Sequence, residues 1–173
     1  MSSRNAIAHD QQLLTFLIGR DEYGISILRV REIAEYTTLT PVPMRPAWMR
    51  GVMNLRGTVV PVVDLAARLG LGETAVSRFT CLIILELELE GEKMVIAVMV
   101  DAVSRVVDIS TDDIHEAPPF GMAVDVIPGM VRVDGALVVL LDLAAIISER
   151  ELVGAAALLP GLREEAEAAD ARR

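Results

Sequence analysis

The sequence predicts a mainly β protein: two small five-stranded β-barrels related by an approximate two-fold, with short helices and a C-terminal helix or tail. Three observations carry that expectation. First, Gly51–Leu65 (GVMNLRGTVVPVVDL) returns without gaps as Gly129–Leu143 (GMVRVDGALVVLLDL), so Gly51 meets Gly129, Gly57 meets Gly135 and Asp64 meets Asp142. Second, short apolar, β-branched runs alternate with turn residues, and the chain holds 12 glycines and 8 prolines. Third, each half supplies about five short strands and one helix. A small open sheet leaves its edges unpaired and buries too little surface alone, whereas two curled sheets packed together solve both problems.

The elements follow in order. Residues 1–11 are polar and read as frayed. Leu13–Ile18 is a strand, Gly19–Glu22 a four-residue turn and Tyr23–Val30 the return strand of a hairpin. Arg31–Tyr36 fits either a strand or a helix, because Val30, Ile33 and Ala34 have helical spacing in a short segment. Pro41 and Pro43 restrict residues 37–43 to loop or extended edge. Pro46–Met49 forms at most one helical turn. Val52–Leu55 and Thr58–Val63 are strands meeting at Arg56-Gly57, and Asp64 caps a helix over Leu65–Leu69 that Gly70 ends. Residues 70–78 read as a linker between barrel units of about 20–75 and 79–148, within a single domain of 12–150.

The second half repeats the order. Phe79–Glu90 is a strand in which Leu85, Leu87 and Leu89 alternate with Glu86, Glu88 and Glu90, a period of two with one face buried and one solvated. Glu90–Lys93 is its turn and Met94–Val100 its return strand. Val103 and Val106 stand where Val30 and Ile33 stood. Asp112–Phe120 holds a short turn, Gly129–Leu141 two strands about Asp134-Gly135, and Asp142 caps a helix from Leu143 to about Ser148. Residues 151–173 are an extension rich in alanine and charge, read as a frayed helix or a tail.

Composition removes several function classes. A net charge of −9 opposes phosphate-backbone binding, and 3% aromatic content gives no base-stacking platform. Apolar runs stop short of the roughly 20 residues of a membrane helix. The N-terminus lacks a signal-peptide pattern, so the expected location is the cytoplasm, with membrane contact only through a partner. Cys81 is single and lies in an apolar run, which reads as a small buried hydrophobe. His115 stands among Asp112, Asp113 and Glu116, but the spacing matches no metal site and reads as a surface loop. Phosphate loops are absent, and Asp64 and Asp142 are explained as helix caps rather than an acid–base pair. No enzyme activity and no cofactor are expected.

Binding remains. Asn54-Leu-Arg-Gly57 is either a plain hairpin turn or a rigid mount for Arg56, whose planar guanidinium suits an interface anchor. Trp48, the single tryptophan, either packs a barrel rim or anchors a partner.

An ordered series of motifs resembles the CheW-type chemotaxis coupling proteins: Tyr23-Gly-Ile-Ser-Ile-Leu-Arg-Val-Arg-Glu-Ile33, Thr40-Pro-Val-Pro43, Gly51-Val-Met-Asn-Leu-Arg-Gly57, Pro61-Val-Val-Asp-Leu65 and Val100-Asp-Ala-Val103. The resemblance covers about residues 12–148 and implies two SH3-like barrels. It implies a non-catalytic adaptor, scaffolding the signalling tips of chemoreceptors to a CheA-type histidine kinase in membrane-associated arrays. The receptor tip is a helical hairpin, and the kinase contact is its regulatory domain. Carried over by motif, the receptor-facing residues are Val30, Glu32, Arg56, Val59 and Val103; the resemblance assigns no kinase-contact residues. Two positions depart from the family pattern: Ala97, where Gly is common, and Arg105, where Ser-Glu-Val is common. The alternatives are a module of another chemosensory pathway, with pili or another output, a detached kinase regulatory domain, which the Met1 start disfavours, and a small-molecule-binding double barrel.

Overall fold

The structure, a computed structural model, describes residues 11–89, 91–116 and 126–147. The first half forms strands β1 (Gln11–Ile18), β2 (Asp21–Ser26), β3 (Val30–Glu35), β4 (Met49–Leu55) and β5 (Thr58–Asp64), then helix α1 (Leu65–Arg68). The second half forms β6 (Cys81–Leu89), β7 (Glu92–Val100), β8 (Ala102–Ile109), β9 (Ile114–His115), β10 (Gly129–Val133) and β11 (Ala136–Leu140), then α2 (Leu143–Ile146). Among the described residues the mainly β fold expected from the repeat is present, and one of its two sheets has six strands rather than five. The expected features at residues 1–10, Pro118–Phe120, Ser148 and the extension from 151 lie outside the described residues.

The sheets do not follow the division into units of 20–75 and 79–148. One has the order β3-β6-β7-β5-β4 and the other β8-β1-β2-β11-β10-β9. The two halves exchange their leading hairpins: β6–β7 completes the sheet of the first half, and β1–β2 that of the second. Parallel pairings make the exchange, Val62 opposite Ala97 in one sheet and Leu140 opposite Gly24 in the other. Burial is the physical reason. Leu82, Ile84, Ala97 and Met99 pack inside the five-stranded sheet with Met53, Val60 and Val62. Their neighbours Ile83, Leu85, Ile96 and Val98 face the other way, onto a shared cluster with Leu14, Phe16 and Ile25 of the second sheet. Residues 82–85 and 96–100 are fully buried, so β6 is wet on one face only at its far end, where Glu86 is half-buried and Glu88 exposed. A strand apolar on both faces belongs in the middle of a sheet with packing on each side.

The repeated glycines have repeated causes. A Cβ on Gly51, at φ +145°, would lie 2.4 Å from the Thr40 carbonyl oxygen, and one on Gly129 would lie 2.7 Å from that of His115. Each close carbonyl belongs to a segment arriving from the opposite edge of the same sheet. After edge strand β3, the chain bridges the other edge, Thr40 to Val52 on β4. After β8 it forms β9, which pairs with β10. Each sheet therefore curls until its two edges are joined by one piece of chain. Arg56-Gly57 and Asp134-Gly135 are two-residue hairpin loops with every φ positive, 49° and 87° in the first and 49° and 80° in the second, the arrangement whose twist matches paired strands.

Local choices resolve in the same terms. Residues 30–35 form a strand whose burial alternates residue by residue, so the helical spacing there is coincidental. The first hairpin turns on two residues, Gly19 and Arg20, rather than four, because Ile18 pairs with Asp21 and Gly19 supplies a φ of 62°. The return strand ends at Ser26, whose hydroxyl caps a single 3-10 turn over Ile27–Arg29. Asp64 and Asp142 cap α1 and α2 as expected, accepting from Ala67 N and from Ala144 and Ala145 N. Asp64 is also fully buried and accepts from the Thr74 amide at 2.9 Å and hydroxyl at 2.7 Å, which fastens residues 70–78 to the body. Trp48 is half-buried against two clusters, with the Arg68 guanidinium 5.8 Å from its ring.

Candidate functional site

Glu32 and Arg56, 24 residues apart in sequence, meet at one end of the five-stranded sheet. A bulge at Arg31 shifts the β3–β6 register, so Val30 faces Leu85 and Glu32 faces Ile84. The bulge leaves Glu32 half-buried beside the curl of the sheet. Arg56 stands at the tip of the β4–β5 loop and donates Nη2 to Glu32 Oε2 at 2.7 Å. Asn54 Oδ1 accepts from the Gly57 amide at 2.8 Å and fixes the loop beneath it. The Arg56 side chain remains 77% exposed and Glu32 29%. The pair is thus held in place but open to a partner, and at that exposure it contributes little to stability.

The three valines divide. Val30 and Val103 are both half-buried and pack against the cluster shared by the two sheets. Val59 on β5 packs instead with Val42, Met49 and Val52. The structure therefore brings Glu32 and Arg56 into contact and gives Val30 and Val103 equivalent places, but seats Val59 on a separate cluster. Beside the pair, Ile33 on the outer face of β3 is 45% exposed.

A second charged cluster went unread in the sequence. Arg105 on β8 donates Nη1 to Asp134 Oδ2 at 2.7 Å and places Nε and Nη2 at 3.3 and 3.4 Å from the Glu22 carboxylate. Burial pushes the Glu22 carboxyl up. Hydrogen bonds from Thr15 and Arg105 and the Arg105 charge outweigh it, and the group ends below its ordinary value. The Arg105 guanidinium is driven above its ordinary value, first by its hydrogen bond to Glu22. The gapless repeat already placed Asp134 opposite Arg56, and the match of Val103 to Val30 placed Arg105 opposite Glu32; those two alignments were the available clue.

Among the described residues no group of three or more His, Cys, Asp or Glu side chains is placed to hold a metal ion. A cleft lined by Ile25, Leu87, Leu141 and Leu143 holds about 40 Å³, far below the several hundred of a small-molecule site. No helix among the described residues is long and apolar enough to cross a membrane.

What the site offers is an exposed ion pair held on a fixed loop at one end of the sheet. The model of the CheW-like domain matches residues 12–151. The chain belongs to the CheW-like family. A probable chemotaxis protein CheW of Rhizobium etli is 34% identical over 144 residues, covering 82% of this chain and 90% of the relative. Chemotaxis protein CheW of Klebsiella aerogenes is 32% identical, covering 82% and 84%. The crystal structure of scaffolding protein TtCheW from Thermoanaerobacter tengcongensis superposes with a TM-score of 0.70 at 27% identity, covering 84% of this chain and 92% of that one. This CheW-like chain is accordingly a non-catalytic chemotaxis adaptor, with a scaffold in place of an active site.

Proposed function

We propose that this protein couples the helical-hairpin tips of chemoreceptors to the regulatory domain of a CheA-type histidine kinase, as a cytoplasmic component of membrane-anchored receptor arrays. The observation that carries the receptor contact is the 2.7 Å Arg56–Glu32 pair, set on a fixed loop with the guanidinium 77% exposed. Exposed apolar Ile33 and half-buried Val30 give the flanking surface that the apolar face of a receptor helix would cover, with Glu32 and Arg56 setting its orientation; Val103, packed on the same shared core cluster, is its proposed limit on the six-stranded sheet. Val59, which faces Asn54 across the β4–β5 hairpin while packing on its separate cluster, is the proposed contact on the β5 side.

Coupling is by linkage. The two sheets share one core, including Phe16, Val63, Leu85, Val98 and Leu143, so a partner on one sheet and a partner on the other are held by a single packed body. Asp101, between β7 and β8, adds a staple where the chain crosses between sheets: its Oδ2 accepts from the Gly19 amide at 2.6 Å, and its own amide donates to the Leu17 carbonyl at 3.1 Å.

The test is binding of a soluble coiled-coil fragment carrying a resident receptor's hairpin tip. Arg56→Glu is expected to reduce that affinity while kinase-domain binding and the melting temperature stay near wild type. Equal receptor binding by wild type and Arg56→Glu would remove Arg56 from the interface.

A further inference from the structure

The repeat carries its ion pair twice, with the sign reversed. In the five-stranded sheet the acid stands on the edge strand and the base on the hairpin tip, Glu32 and Arg56. In the six-stranded sheet the base stands on the edge strand and the acid on the tip, Arg105 and Asp134. The contact is 2.7 Å in both. The positions are equivalent by register and by backbone. Glu32 faces Ile84 and Val30 faces Leu85 across a bulge; Arg105 faces Thr15 and Val103 faces Phe16 across another. Arg56 and Asp134 share a φ of 49°, and each precedes a glycine.

The apolar surroundings match. Ile33 and its counterpart Val106 are 45% and 51% exposed, and Val30 and Val103 are both half-buried. What changes between the ends is charge. The exposed member of each pair is the tip residue, Arg56 at 77% and Asp134 at 81%. Glu22 braces Arg105 from behind, where the parallel registers place the apolar Val95 in the other sheet.

The fold therefore accepts the pair in either orientation when an acid braces the arginine on the edge strand, and the hairpin geometry alone does not dictate which sign stands at position 56. We infer that partners read the sign, and that Arg105 and Asp134, braced by Glu22, are specificity residues: they mark the end of the six-stranded sheet as a separate surface that refuses the partner taken at Glu32 and Arg56. This rests on the proposed receptor contact at the first end. An acidic group on the receptor that faces Arg56 would meet Asp134 at the second end, and like charges brought together at an interface discriminate strongly between otherwise similar sites.

The experiment is calorimetric titration of the full chain with the receptor hairpin-tip fragment. Wild type binds one fragment per chain. E32R/R56D/V95E, which copies onto the first end the arrangement already present at the second, its bracing acid included, keeps its fold and melting temperature but loses affinity by about tenfold or more. E22Q/R105E/D134R, which copies the first end onto the second, gains a second binding event. Wild-type affinity in E32R/R56D/V95E overturns the inference, as does its failure to fold, since the fold would then not be neutral to sign; so does one-to-one binding by E22Q/R105E/D134R. No binding by wild type, or binding indifferent to R56E, overturns the receptor reading itself, and this inference falls with it.

Discussion

Replacing Arg56 by asparagine separates what the residue does for the fold from what it does for a partner. Arg56 occupies the left-handed region at φ 49°, followed by Gly57 at 87°. A non-glycine residue there costs about 1 kcal/mol, and asparagine is the side chain that relieves it best in a two-residue hairpin loop. Against that gain stands loss of the Glu32 contact. With the Arg56 side chain 77% exposed, solvent screens the pair to about 0.5 kcal/mol or less. The balance favours the variant by about 0.5 kcal/mol, or a rise of about 1–2 °C in melting temperature for a chain of this size. Receptor affinity moves the other way. Thermal unfolding by circular dichroism, alongside calorimetric binding of the receptor fragment, reads both. A melting temperature lowered by more than about 2 °C would refute the reasoning, because it would show the ion pair holding the curled sheet together.

Other perturbations have distinct signatures. Gly51→Ala drives a Cβ to 2.4 Å from the Thr40 backbone oxygen at φ +145°, so chemical denaturation is expected to show a loss of about 3 kcal/mol or more. Asp64→Ala strips partners from buried Thr74 and uncaps α1, for about 3 kcal/mol, whereas Asp142→Ala removes only a cap, for about 1 kcal/mol. Glu22 has a folded-state pKa below its ordinary 4.5. Its contribution is therefore complete above the unfolded-state value and lost as pH falls through the lowered one. Stability measured from pH 6 downward is expected to fall less steeply below 4.5 in Glu22→Gln than in wild type, and identical acid limbs would show that the Arg105 cluster does not hold this carboxylate.

Much of the architecture was legible because it is written twice. Gly51 and Gly129, the paired tips and the capping aspartates fall at a constant offset, and each has the same local cause in both copies. The hairpin exchange was not legible. A repeat fixes which strands correspond but not which copy supplies a neighbour, and only the two-faced burial of Leu82–Leu85 and Ile96–Val100 decides it. The clue lies in those continuous apolar runs, and the Leu-Glu alternation at 85–90 masks it. At the site, Arg56 stood out as a residue absent from the second copy. The structure shows that its role recurs there with opposite sign, through Asp134 and Arg105. A search for recurring residue types passes over a reversed pair, since a salt bridge is conserved in geometry when both partners change.

The adaptor role is tested most directly by reconstituting receptor-containing membranes with the CheA-type kinase of the same organism and measuring kinase autophosphorylation with and without this protein. The coupling role predicts that kinase activity responds to the receptors only when the protein is present, and that Arg56→Glu fails to restore the response. A kinase that responds to the receptors equally well in its absence would contradict it.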